Sequence, residues 1–309
     1  MNKINQGIIL FKMNRSLLSD YFIENQTKTE FRDNSSWVIL SPIEQSIKRK
    51  IEEIGTPLKD WNVNIYRGIL TGYNEAFIIS GEKRTELLAA CGTEKERIRT
   101  DELIRPILRG RDIKRYNYEF ADLWLINTHN GIKEKGISRI DIDDYPTIKA
   151  HLDQYWDQIS TRADKGDTPY NLRNCAYMDD FNKQKIVWIE LTDHPNFALD
   201  EKGYYINNTV FFMTGENLKY ILAFLNSKIC EWYFDKICAT SGVGTRRWIK
   251  MYIDQICIPV IDDKTCSDIV YLVDHKTSIE DYEFQINNRF AAICNLNISE
   301  IEWIEKCKL

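Results

Sequence analysis

No apolar run in the 309 residues approaches the roughly 20 that a membrane-spanning helix needs. The N-terminus offers only a short GIILF stretch between Lys3 and Lys12, not the apolar core of a signal peptide, so no membrane partner is expected. Histidine is scarce, at four. The eight cysteines stand singly, without a CxxC pair and mostly among apolar neighbours. That pattern favours reduced thiols in a cytoplasmic protein over a disulfide framework or a zinc site. Motifs of covalent chemistry are missing too: there is no GxSxG elbow, no HExxH helix and no AsnProPro-aromatic tetrapeptide of the kind that holds an extruded adenine. Two look-alikes are weak. Gly242-Val243-Gly244-Thr245-Arg246-Arg247 lacks the third glycine of a dinucleotide fingerprint and follows a helix. Asp262-Asp263-Lys264 has the Asp-x-Lys spacing of metal-dependent nucleases but no acid evidently placed on a partner strand. No catalytic residue and no metal ligand is assigned.

What is present describes a globular chain. With 43% hydrophobic and 28% charged residues, disorder is excluded, and the length points to about two domains. The formal net charge of -5 is unevenly spread. From Asp262 onward there are ten acids and five bases, which accounts for the whole deficit and leaves the first 261 residues neutral, with local basic runs.

Residues 1–36 are polar and without a period, as in a linker. Ser41-Pro42-Ile43-Glu44 then supplies a cap, a first-turn proline and a capping-box acid for a helix whose Ile43, Ile47, Ile51 and Ile54 share one face. Between Trp61 and Met213 short β-like runs alternate with Gly, Asn and Asp: 64–69, 76–80, 123–127, 185–191, 197–199, 204–206 and 209–213. Asp200-Glu201-Lys202-Gly203 reads as a hairpin turn, and helical insertions are expected over 82–90 and 148–159. A strong helix is predicted over 216–234, then a glycine-rich basic loop, a strand over 256–260 that completes the sheet, and tail helices over 268–273 and 279–294. A last helix is expected to be capped by Ser299 and Glu302. The fold class is therefore α+β: a mixed, mostly antiparallel sheet with inserted helices and a C-terminal helical region. The expected divisions are 1–60, linker and helix; 61–261, sheet-rich domain; and 262–309, acidic helical region.

Three basic stretches stand out. Arg109, Arg111 and Arg115 belong to an arginine-rich segment followed by Tyr116 and Tyr118; Arg162, Lys165 and Arg173 lie in a polar loop; Arg246, Arg247 and Lys250 flank Trp248. Arginine offers a planar fork for phosphates and guanine edges, and three basic loops on a neutral module suit a surface that grips a duplex. These nine residues are the candidate DNA contacts. The glycine-containing Arg67–Phe77 block most simply makes a tight strand-to-strand turn, with Arg67, Thr71 and Asn74 as candidate backbone contacts.

Several stretches together are more specific than any motif: Gly55-Thr56-Pro57-Leu58, Tyr66-Arg67-Gly68-Ile69-Leu70-Thr71-Gly72-Tyr73-Asn74-Glu75-Ala76-Phe77, Ile104-Arg105-Pro106-Ile107-Leu108-Arg109-Gly110-Arg111-Asp112-Ile113, Arg173-Asn174-Cys175-Ala176-Tyr177 and Leu222-Ala223-Phe224-Leu225-Asn226-Ser227. Over roughly 40–260 the chain resembles the TaqI-like C-terminal specificity domain of type IIG restriction–modification enzymes and adenine methyltransferases. The resemblance implies a target recognition domain that docks on double-stranded DNA beside a methyltransferase/nuclease core. It also implies that this core lies upstream of Met1 with its S-adenosylmethionine and, for cleavage, Mg, and that Leu309 is near a natural C-terminus. A protein-interaction module, docking parts of a restriction complex through the long helix and acidic tail, is the alternative. The tail itself is expected to face away from DNA, because its acids repel phosphates within a Debye length of about 8 Å.

Overall fold

The computed structural model describes residues 40–238 and 245–307; the predicted 1–36 linker and the Gly242-Val243-Gly244 start of the glycine-rich loop lie outside them. The first helix, Pro42–Ile54, begins as its residues dictate. The Ser41 side chain accepts from the Glu44 backbone, and the Glu44 carboxylate accepts from the Ser41 N–H at 2.8 Å. Ile47 and Ile51 are fully buried.

Fourteen strands follow among the described residues: β1 Gly55–Pro57, β2 Val63–Arg67, β3 Ile78–Ser80, β4 Ile104–Leu108, β5 Ile113–Lys114, β6 Asn117–Tyr118, β7 Leu123–Ile126, β8 Lys185–Ile189, β9 Leu191–Thr192, β10 Phe197–Asp200, β11 Tyr205–Ile206, β12 Val210–Gly215, β13 Arg246–Arg247 and β14 Cys257–Pro259. They form one four-stranded sheet, β10-β8-β12-β2, a second, β11-β4-β7-β3, and three two-stranded ribbons, β1-β14, β9-β13 and β5-β6. Only β11–β4 is parallel among the named pairs. The fold is α+β with a mixed, mostly antiparallel arrangement.

The first sheet is covered on both faces, and the alternation of its residues assigns them. Ile186, Trp188 and Met213 belong to one core, with the helices Pro42–Ile54, Leu218–Leu225 and Lys228–Ile237. Val187, Val210 and Phe212 face a second core, shared with the second sheet and with the helices Gly81–Ala90, Glu94–Leu103, Pro146–Asp153 and Trp156–Thr161. Burial on both faces explains why β8 reads as a continuous apolar run.

Several expectations are corrected. The 216–234 helix is two helices. Ser227 caps the second, accepting from the Cys230 N–H at 3.1 Å. The fully buried Asn226 amide accepts from Phe197 N–H at 3.2 Å and donates to Phe197 O at 2.9 Å, closing the edge of β10. Leu222 and Leu225 are buried, as predicted. Residues 200–203 do make a turn, with Asp200 accepting from Lys202 N–H and Gly203 at φ 75°, but the strands on either side join different sheets, so it is no hairpin. β14 pairs with β1 and not with the central sheet. The Arg67–Phe77 block is likewise not a strand-to-strand turn: it carries the chain from the first sheet through a one-turn helix, Asn74–Phe77, to the second. Gly68 is required there, since a Cβ would lie 2.0 Å from the Asn207 carbonyl oxygen.

The tail forms helices Asp263–Asp274, Tyr282–Ile293 and Ile298–Lys306, the last capped by Asn297 and Glu300 instead of Ser299 and Glu302. Ile269, Leu272, Ile286 and Phe290 enter the first core, where Phe290 meets Phe224 edge-on at 5.0 Å.

Candidate nucleic-acid interface

The end of β8 gathers basic side chains from three separate segments. After Ile189 the chain turns at Glu190, whose N–H donates to Thr209 O and whose carbonyl accepts from Trp248 N–H at 2.8 Å. The Glu190 carboxylate then takes two arginines: Arg67 from the end of β2 at 2.9 Å and Arg247 from β13 at 3.2 Å. Both guanidinium-bearing side chains remain about half exposed, at 53% and 51%, while Glu190 is only 16% exposed. Arg67 also donates to Asn208 O at 2.8 Å and lies over the Phe211 ring. Such bridging holds the two forks in place and leaves their outer edges toward solvent.

Arg109 and Arg111 reach the same place through Gly110. A side chain at 110 would meet Ile189 Cδ1 at 2.9 Å and Thr209 Oγ1 at 3.1 Å, so the arginine loop closes on the β8 end only because residue 110 is glycine. Asp112 clamps Arg109, accepting from its N–H at 2.8 Å and pairing with its guanidinium at 2.9 Å; Arg111 is exposed. Arg109, Gly110, Arg111, Ile189, Glu190, Leu191 and Thr209 line one groove of about 450 Å³.

The third basic stretch divides by strand alternation. Arg247 faces out, but Arg246 is 3% exposed, donating to Asp193 O and pairing with Asp235 at 3.0 Å. Trp248 is buried, stacked on Phe234 at 3.7 Å, and its carbonyl accepts from Trp188 Nε1 at 2.7 Å. Lys250 is exposed and pairs with Asp254 one helical turn on.

Arg162 is also internal. Its guanidinium donates to the carbonyls of Thr71, Pro169 (3.0 Å) and Asn171 (2.6 Å) and lies over the Phe77 ring at 4.2 Å. Burial pushes its pKa down to about 10. It ties the 162–171 loop to the crossing between the sheets, where Gly72 (φ 70°) approaches Asp164. Thr71 is buried with its hydroxyl on Asn74 at 2.6 Å, whereas Gly72, Asn74 and Glu75 are exposed. Lys165 and Arg173 remain exposed, Lys165 donating to Ser160 O and Arg173 pairing with Asp164 at 3.2 Å. Tyr177 reaches the β8 cluster. The Tyr177 hydroxyl donates to Arg67 O at 3.0 Å; burial raises its pKa to about 12, and the Arg173 charge opposes that rise.

Arg115 points elsewhere. It pairs with Glu283 of the tail at 2.8 Å, beside Tyr116, and so belongs to the junction of the β5-β6 ribbon with the acidic helices. Asp262, of the nuclease-like triplet, caps the Asp263–Asp274 helix by accepting from Thr265 N–H at 3.0 Å.

The structure thus brings Arg67, Arg109, Arg111 and Arg247 together, leaves Arg173 paired with Asp164, and turns Arg162 and Arg246 into the interior. Sequence reasoning missed Glu190: an acid at the end of an apolar strand carries no signal until its two arginine partners are known.

Among known proteins, the family model of the TaqI-like C-terminal specificity domain matches residues 105–260. A search of curated proteins found no match. Two solved structures are similar in fold. The type IIL restriction-modification enzyme MmeI, in complex with DNA, aligns with a TM-score of 0.57 at 10% identity, over 81% of this chain and 36% of that one. The type IIG restriction endonuclease BpuSI aligns with a TM-score of 0.50 at 14% identity, over 85% of this chain and 32% of that one. The chain therefore spans about a third of the length of either enzyme. With the family model covering half of its residues, including the Arg109–Arg111 loop, β8 and β13, the chain belongs to the TaqI-like C-terminal specificity domain family.

Proposed function

We propose that this chain is a target recognition module that binds double-stranded DNA by sequence and does no chemistry itself. The observation that carries the reading is the convergence of Arg67, Arg109, Arg111 and Arg247 at one end of the first sheet, with Glu190 orienting Arg67 and Arg247 and Asp112 orienting Arg109. Guanidinium forks fixed in this way suit phosphates and guanine edges. Arg173, Lys165 and Lys250 add cations for the backbone, whereas Arg162, Arg246 and Arg115 serve the fold.

On this reading the catalytic partner is a methyltransferase/nuclease core belonging to the same polypeptide or complex, working on cytoplasmic DNA. S-adenosylmethionine and Mg would be held by that core. The described residues do not fit the metal: no three His, Cys, Asp or Glu side chains are grouped to ligate it, and no step of recognition runs through either group. No helix among the described residues is long and apolar enough to cross a membrane. The interaction-module reading draws support from the exposed Tyr271, Phe284, Ile298 and Trp303 of the tail, apolar surface that docking against the core would cover. Both roles sit on one chain. Selection of bound duplexes from a random pool tests the main reading: enrichment of one short sequence supports it, and retention of no duplex at low salt refutes it.

A further inference from the structure

The β9-β13 ribbon has two unlike faces. Its inner pair is Thr192 and Arg246, and the Arg246 guanidinium is locked onto Asp235 and the Asp193 carbonyl. Its outer pair is Leu191 and Arg247, directly opposite each other across the two strands. Directly opposed side chains stand on the same face, with Cβ atoms about 5 Å apart. Leu191 is 50% exposed, although Arg247 beside it and Arg111 across the groove surround it with charge.

An exposed leucine set between the guanidinium that Glu190 holds and the exposed Arg111 is a poor site for a protein partner and a good one for a duplex. The phosphates would pair with the cations, and the major groove presents one strongly apolar group, the C5 methyl of thymine. That groove, about 12 Å wide, admits a two-stranded ribbon. We infer that the β9-β13 ribbon enters the major groove and that Leu191 contacts a thymine methyl, making it a residue that determines the recognised sequence. The inference rests on the DNA-binding reading above and adds the element, the residue and the base.

The test uses the full 309-residue chain. A binding site is selected from random duplexes, and each thymine in it is then replaced singly by deoxyuridine, which removes only the methyl. At one thymine the wild-type affinity should fall about four-fold, the worth of one buried methyl group. Leu191→Ala should bind the thymine duplex about as weakly as wild type binds the uracil duplex, and should no longer distinguish the two. Because Leu191 is exposed, the variant should fold normally, and the uracil arm needs no variant at all. A selected site without thymine, a site with no methyl-sensitive position, or full discrimination kept by Leu191→Ala overturns the inference while leaving DNA recognition standing. A wild-type chain that retains no duplex overturns both.

Discussion

Replacing Arg162 by methionine separates an architectural arginine from a DNA contact. The side-chain stem keeps its place near Phe77, but the carbonyls of Thr71, Pro169 and Asn171 lose their donor inside the protein. A buried acceptor left unpaired costs about 1–3 kcal/mol. Three carbonyls lose their donor at once, so we expect a total of about 3 kcal/mol, the guanidinium having joined the 162–171 loop to the segment around Thr71. Arg173→Met is the control. Its ion pair with Asp164 is mostly exposed, and its loss should cost under about 1 kcal/mol. Urea unfolding of both variants reads the difference as a shift of midpoint at unchanged slope. An Arg162→Met protein as stable as wild type but selectively deficient in DNA binding would refute the packing role and return Arg162 to the DNA surface.

Removing Glu190 should loosen Arg67 and Arg247 while deleting a negative charge beside the phosphates. Titration of Glu190→Ala on selected and scrambled duplexes is therefore expected to show tighter non-specific binding and reduced discrimination, and an equal loss on both would contradict the bridging role. Gly68→Ala places a Cβ 2.0 Å from the Asn207 carbonyl oxygen and should cost more than about 3 kcal/mol or prevent folding. Gly136→Ala, with nothing within 4 Å and only its left-handed backbone to strain, should cost about 1–2 kcal/mol in the same melts. Burial alone would raise the Glu231 pKa, but His194 at 2.8 Å and Lys228 at 3.0 Å outweigh it and hold the carboxyl below its ordinary 4.5. Its stabilisation is thus complete above pH 4.5 and lost as the pH falls further. Glu231→Gln should be less stable than wild type at neutral pH and show a shallower loss in acid denaturation.

Most of the longer strands were legible where apolar residues alternate or run together between turn residues, and so was the Ser41 cap; β4 was not, because Arg105 and Pro106 interrupt its apolar residues. Their partners were not. Asp200–Gly203 has the chemistry of a hairpin turn, yet β10 and β11 go to different sheets, because pairing is decided by which core each strand covers. The break at Asn226 was hidden for a similar reason: its amide is used by β10, far away in sequence, and the apolar period runs straight through it. Among the candidate contacts, Arg246 and Arg247 are indistinguishable as adjacent arginines and separate only when a two-residue strand puts one on each face. Arg162 reads as a loop cation, and only the carbonyls folded around it reveal its role. Arg109 and Arg111 were legible as members of an arginine-rich segment, but not the close approach at Gly110 that brings them to the end of β8, which depends on Ile189 and Thr209 far along the chain.

Whether the β8-end arginines form the DNA surface is read from the salt dependence of duplex affinity. The measurement compares wild type with the Arg67→Ala, Arg111→Ala and Arg247→Ala variants. Each variant that loses a phosphate contact should bind every duplex more weakly and lower the slope of log affinity against log salt by about one unit. A variant that loses a base contact should instead lose roughly 1–3 kcal/mol on the selected site alone. Unchanged affinity, slope and preference in all three would contradict a DNA surface there.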